Sequence, residues 1–190
     1  MKRKLFIICI LIFASFLLVS CVHNISNGFD IYLKEHPTNL SKIDIPVSYS
    51  IDPNTKKMIY SFRCFSTGIT NKWIIKVGDM LKDYLEIRGP QIFKKFVPYN
   101  KDSSISIHID FAITNYAFKD FRAYVGMKIA VYKNNKLLFS KNYNAIGIRE
   151  GERIFWGGAY AQRYAVHQST QSAFDSIMTQ FLNDLRNKLS

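Results

Sequence analysis

"SISIHIDFAIT", residues 104–114, alternates without a break. Ile105, Ile107, Ile109, Phe111 and Ile113 fall on one side of an extended chain, and Ser106, His108, Asp110 and Ala112 on the other, because successive strand side chains point to opposite faces. One apolar face and one mostly polar face suit an antiparallel sheet that is covered on one side only.

The stretches on either side extend that sheet. "AYVGMKIAVYK" (123–133) and "KLLFSKNYNAI" (136–146) read as two more strands around Asn134-Asn135, a pair that tolerates the positive φ of a tight hairpin. Upstream, "IPVSYSI" (45–51) reads as a strand, "DPNTKK" (52–57) as a turn and "MIYSFRCFS" (58–66) as the returning strand.

Two segments change period. In "TNKWIIKVGDMLKDYLEIRG" (70–89), Trp73, Val77, Met80, Leu81, Tyr84 and Leu85 recur at steps of three and four, the spacing of one helix face. Thr70 or Asn71 caps its start, and Gly89 followed by Pro90 ends it. A final helix runs through residues 165–189, with Val166, Thr170, Ala173, Phe174, Ile177, Met178, Phe181, Leu182 and Leu185 as its stripe. The order strand, strand, helix, strand, strand, strand, helix predicts an α+β fold. Its sheet is largely antiparallel with four to five strands, and both amphipathic helices pack on one face. Residues 45–190 form this single domain.

The N-terminus has another character. Lys2, Arg3 and Lys4 precede an apolar run from Leu5 to Val19. About fifteen residues make a short hydrophobic core of an export signal rather than a membrane span. The run closes on Leu18-Val19-Ser20-Cys21, and the chain then turns polar. That ending resembles the bacterial lipobox, which implies that Cys21 receives a diacylglycerol and becomes the first mature residue after removal of a signal peptide spanning 1–20. Val22 stands after the cysteine. In enterobacterial sorting an aspartate there signals inner-membrane retention, so the expected location is the outer membrane, facing the periplasm. Residues 21–44 are irregular and read as a lipidated tether with an r.m.s. span of roughly 25–30 Å. Beyond Cys21 and Cys9 only Cys64 remains, too few for an internal disulfide; it reads as a small buried apolar residue.

The formal net charge is +12. Lys and Arg are scattered in ones and twos rather than clustered, which argues against a nucleic-acid surface. No phosphate loop, nucleophile elbow, dinucleotide fingerprint or paired Cys/His spacing occurs. His23 and His36 fall in the tether, His108 on the polar strand face and His167 early in the last helix; each reads as a surface or capping residue. Asp110 and Asp120, placed near one sheet end, make a weak acid–base pair. The expectation is therefore a non-catalytic protein without cofactor or metal.

"GIREGERIFWGGAYAQRY" (147–164) is the most unusual stretch. Four glycines surround its aromatic residues, with arginines on either flank. Arginine and the large aromatics are the types enriched at interaction hot spots. Arg149, Arg153, Phe155, Trp156 and Tyr160 are thus the candidates for binding an envelope protein partner, unless Phe155 and Trp156 fold back as a lid over the sheet end.

"SISIHIDFAITNYAF", "GMKIAVYKNNKLLFSKNY", a glycine-containing loop and "AFDSIMTQFLNDL" together resemble the order found in YajG-like lipoproteins. More remotely they resemble auxiliary lipoproteins of ABC-type lipid transporters and flagellar-sheath adhesin-like lipoproteins. The resemblance covers about Ile45 to Leu189. It implies a lipid-anchored envelope domain that serves an assembly or transport system by binding; the alternative is a periplasmic carrier of a lipid or other apolar ligand.

Overall fold

The computed structural model describes residues 22–63, 72–100, 104–148 and 158–189. The alternating stretch becomes the centre of a five-stranded sheet. Its strands are β2 (Ile43–Ile51), β5 (Phe93–Pro98), β6 (Ile107–Lys119), β7 (Arg122–Lys133) and β8 (Lys136–Ile146), in the order β5-β2-β6-β7-β8. The meander β6-β7-β8 is antiparallel as expected, and Asn134 and Asn135 take φ values of 51° and 62° at its second turn. The other half departs from expectation: β2 runs parallel to both β5 and β6. The sheet is mixed rather than largely antiparallel. β5 lies in a stretch where the sequence reading placed no element, and its Lys94-Lys95 pair interrupts the apolar alternation that marks the other strands.

A second, three-stranded sheet is formed by β1 (Val22–Asn24), β3 (Ile59–Arg63) and β4 (Lys72–Lys76), in the order β1-β4-β3. Two expectations change with it. β3 does not return along β2; it pairs antiparallel with β4. The first helix, α3 (Val77–Ile92), begins seven residues later than its Thr70 cap, because "KWIIK" is a strand. Trp73 and Ile75 are buried while Lys72 and Lys76 are exposed, a period of two hidden inside an apparent helical stripe. Pro90 lies inside α3 rather than beyond it. A proline there removes the hydrogen bond to residue 86, yet the Phe93 N–H still donates to the Gly89 carbonyl and closes the final turn.

Two short helices complete the fold. The 52–57 turn contains α2 (Pro53–Lys56), whose Asp52 side chain accepts from the Asn54 and Thr55 N–H groups, with Pro53 in the first turn. α1 (Phe29–Glu35) lies in the segment read as a tether. That reading is corrected: β1 pairs with β4, and Ile25, Phe29, Tyr32 and Leu33 are buried. Burying such side chains stabilises by about 1.5–3 kcal/mol each, enough to fold a segment whose periodicity is weak.

The last helix, α4 (Gly158–Leu189), is longer than expected and takes in the end of the 147–164 stretch. Its whole expected stripe, Val166 to Leu185, is buried. Phe181 meets Phe111, Phe139 and Tyr143 of the sheet, and Phe174 meets Tyr84 of α3 edge-on. The two long helices therefore share the apolar face.

A bulge between Ile113 and Asn115 re-aims the end of β6. A bulge adds a residue and switches the face of everything after it. Tyr116 and Phe118 thereby turn inward and meet Tyr60 and Phe62 of β3, which joins the small sheet to the large one. At the exit of β8, a Cβ on Gly147 would lie 1.8 Å from the Ser169 carbonyl oxygen; only glycine lets the strand approach α4 so closely.

Candidate functional site

Most of the expected contact residues lie outside the described residues: Arg149, Arg153, Phe155 and Trp156, together with the lipidation candidate Cys21 and with Cys64. Tyr160 stands in the first turn of α4. At the borders of that stretch, Ile148 is exposed, and Tyr164 packs edge-on against Tyr32 and His36 at 5.5 and 6.0 Å between ring centres.

The densest polar chemistry sits on the open face of the large sheet. Register places Ser48 opposite His108 and Ser50 opposite Asp110. His108 Nε2 lies 2.6 Å from Asp110 Oδ1, and Ser48 Oγ lies 3.2 Å from Nδ1. The Ser50 hydroxyl donates to the Asp110 carboxylate. Tyr99 covers the imidazole at 4.2 Å. These residue types could serve nucleophilic catalysis, but among the described residues the geometry does not complete such a site. Ser48 is buried, and although Ser50 Oγ lies 3.3 Å from His108 Nε2, its proton goes to the Asp110 carboxylate, which shares that same ring nitrogen. The strand backbones around them are paired in the β2–β6 and β6–β7 ladders, whereas acyl transfer needs donors aimed at a developing oxyanion. What the cluster offers is hydrogen bonding beside a cleft of about 420 Å³ that Ser50, Asp110, Lys128 and Tyr132 help to line.

The Asp110–Asp120 pairing is corrected. Asp110 lies near the start of β6 opposite Ala130, whereas Asp120 occupies the β6–β7 turn at its far end. Ten residues of strand separate them by roughly 33 Å.

The histidines are likewise better placed than their spacing suggests. His167 is buried and its Nε2 lies 3.0 Å from the Ile25 carbonyl oxygen. Burial lowers its pKa to about 4, with Arg163 adding to the effect and the Ile25 hydrogen bond opposing it. The imidazole is therefore neutral at pH 7 and donates from Nε2. His36 stacks on Tyr32 at 4.1 Å, and His23 stacks on Trp73 at 4.8 Å. His23 thereby holds the N-terminal segment to β4, and His36 holds it to α4 through its edge-on contact with Tyr164.

Arg88 completes that attachment. It is buried, and its guanidinium donates to the Leu33 and His36 carbonyls at 2.9 and 2.7 Å. These are carbonyls at the end of α1, which the helix itself leaves unpaired; a cation there also meets the negative end of the helix dipole. The sequence signal was one arginine in an otherwise amphipathic helix, which reads as surface.

The N-terminal attachment displays a mixed outer face on the three-stranded sheet. Val22, Lys72 and Arg63 stand side by side in register, all exposed. Farther along that face come Ile74 with Ser61, then Lys76 with Ile59. The alternation of "KWIIK" was the available signal for these residues.

Among the described residues, no three His, Cys, Asp or Glu side chains are grouped to hold a metal ion, and no helix is long and apolar enough to cross a membrane. No family model matches the chain, and no curated protein matches it. Among solved structures it is similar to protein XCC0632 from Xanthomonas campestris, of family DUF330. The identity is 10% with a TM-score of 0.42, over 87% of this chain and 99% of that one.

Proposed function

We propose that this chain is a bacterial envelope lipoprotein, anchored through an acylated Cys21 and serving as a non-catalytic binding or accessory subunit of an assembly or transport system. The observation that carries the reading is the N-terminus itself: a basic triplet, an apolar run and a cysteine at the polar border. The next residue, Val22, already belongs to β1. Two acyl chains suffice for stable anchoring, and Val22 after the cysteine supports the outer membrane, facing the periplasm. The YajG-like resemblance in the meander and last helix agrees with this class and supplies no catalytic residue.

A carrier of an apolar ligand would need room between the sheet and its helices. The stripes of α3 and α4 are instead spent on the core: Met80, Leu81, Tyr84, Leu85, Phe174, Ile177, Phe181 and Leu182 are all buried. This favours the binding subunit over the carrier. Mass spectrometry of the mature N-terminus tests the anchor, with diacylglyceryl-cysteine at position 21 as the expected species; an unmodified terminus elsewhere refutes it. Native mass spectrometry of the same protein tests the carrier, which predicts a bound lipid beyond the covalent one.

A further inference from the structure

The start of β1 leaves no spacer between the domain and whatever holds residue 21. Consecutive Cα atoms are about 3.8 Å apart, and the headgroup layer of a bilayer is only about 5–8 Å deep on each side. An acylated Cys21 would therefore bring Val22 to the membrane surface. The inner side of β1 is not available to face lipid, because His23 is stacked on Trp73 and Ile25 is buried. The outer side is available. There Val22, Ile59, Lys72 and Arg63 are exposed.

Among the described residues its charge is also one-sided. Arg63 stands directly across from Lys72, and like charges in opposed positions disfavour a sheet. An anion between them would remove that repulsion. Lys76, at the far end, is the exception, since it lies 3.8 Å from Asp79. Apolar side chains beside cations that have no acidic partner among the described residues suit the boundary between headgroups and acyl chains of an anionic membrane.

We propose that the outer face of the three-stranded sheet lies flat against the bilayer, with Arg63 and Lys72 seated among the phosphates of anionic phospholipids. The orientation rests on the lipoprotein reading, and the experiment keeps the two apart. The mature full-length chain, carrying Cys64→Ser, is reconstituted on phosphatidylglycerol/phosphatidylcholine vesicles. A fluorophore is placed through Ser61→Cys on this face or Asn142→Cys on β8, and quenching by headgroup-labelled lipid is read. The Ser61 probe is expected to be quenched at least threefold more than the Asn142 probe. Arg63→Glu with Lys72→Glu should erase the difference while the protein still floats with the vesicles. When Cys21→Ala removes the anchor, the same pair should lower partition to phosphatidylglycerol vesicles by at least about fivefold per basic residue reversed, and phosphatidylcholine alone should bind neither form. Equal quenching of both probes on an acylated, floating protein overturns the orientation and leaves the anchor standing. Selective Ser61 quenching on a protein whose N-terminus proves unmodified overturns the anchor and leaves the face standing.

Discussion

The Tyr84 hydroxyl donates to Asp175 Oδ1 at 2.7 Å, and this bond ties α3 to α4 beneath the N-terminal segment. Burial pushes the Asp175 carboxyl above the usual carboxylate range, although Tyr84, Arg88, Gln171 and Thr38 oppose the shift. A raised carboxylate pKa favours the neutral form in the folded state. Its stabilisation is full below the ordinary carboxylate pKa and is lost as pH rises through the folded value. Asp175→Asn keeps the acceptor and never ionises. It should melt higher than the parent at pH 8 and lose that advantage below about pH 4; an unchanged or lower melt at pH 8 counts against this account.

His167 gives the opposite slope. Its pKa falls from 6.5 to about 4 on folding, so between those values the unfolded chain takes up a proton that the folded chain refuses. Stability drops as pH falls through that window, by about 3 kcal/mol in all. Asp83, raised to about 6 by burial and by its acidic neighbours Asp30 and Glu86, works in the reverse sense, so a raw melt curve mixes the two. The difference between the parent and His167→Gln isolates the histidine, because glutamine keeps a donor for the Ile25 carbonyl. A parent-minus-variant curve that stays level from pH 7 to pH 4 would remove His167 as its source.

Arg88→Met should release α1 before the rest of the domain. The Leu33 carbonyl would lose its donor, at about 1–3 kcal/mol for a buried group left unpaired, and the His36 carbonyl would keep only the Gln171 amide. Hydrogen exchange in residues 25–36 should accelerate by tenfold or more, while the β6–β7 ladder keeps its protection. Uniform acceleration across both regions would instead mean that α1 and the meander unfold as one unit.

Trp156→Ala with Arg153→Ala tests the proposed partner contact. Central Trp and Arg side chains at an interface often contribute 2 kcal/mol or more each. Recovery of a crosslinked envelope partner should fall by well over tenfold with the melting temperature nearly unchanged. A large fall in melting temperature would identify Trp156 as part of the core, and unchanged recovery would remove this stretch as the contact.

The meander and the last helix were legible because each obeys one period over ten residues or more. In β6 the alternation is unbroken up to the Ile113/Asn115 bulge, and in α4 every stripe residue from Val166 to Leu185 is buried. The parallel half was illegible for a physical reason: β5 is an edge strand with two exposed lysines, and its partner β2 is far away in sequence. "KWIIK" misled because Trp73 and Val77 satisfy a helical step and a strand step at once. Among the candidate groups, the His108–Asp110 contact follows from simple i, i+2 alternation. The serines opposite it depend on parallel register, which no local pattern encodes. Arg88 and His167 escaped because a buried polar side chain looks like a surface one until its acceptor is known.

The N-terminal attachment has a temporal consequence. Ser26 accepts from the Lys76 N–H, 50 positions later, and Ile25 is held by His167, 142 positions later. The β6-β7-β8 meander, in contrast, closes through tight turns and local pairs, which form sooner than distant ones. A chain delivered N-terminus first therefore carries its opening residues incompletely docked until the C-terminal helix arrives. On the proposed reading, that interval leaves Cys21 open to the enzymes that acylate and cleave it. On that reading the segment whose docking is completed last is the one modified first.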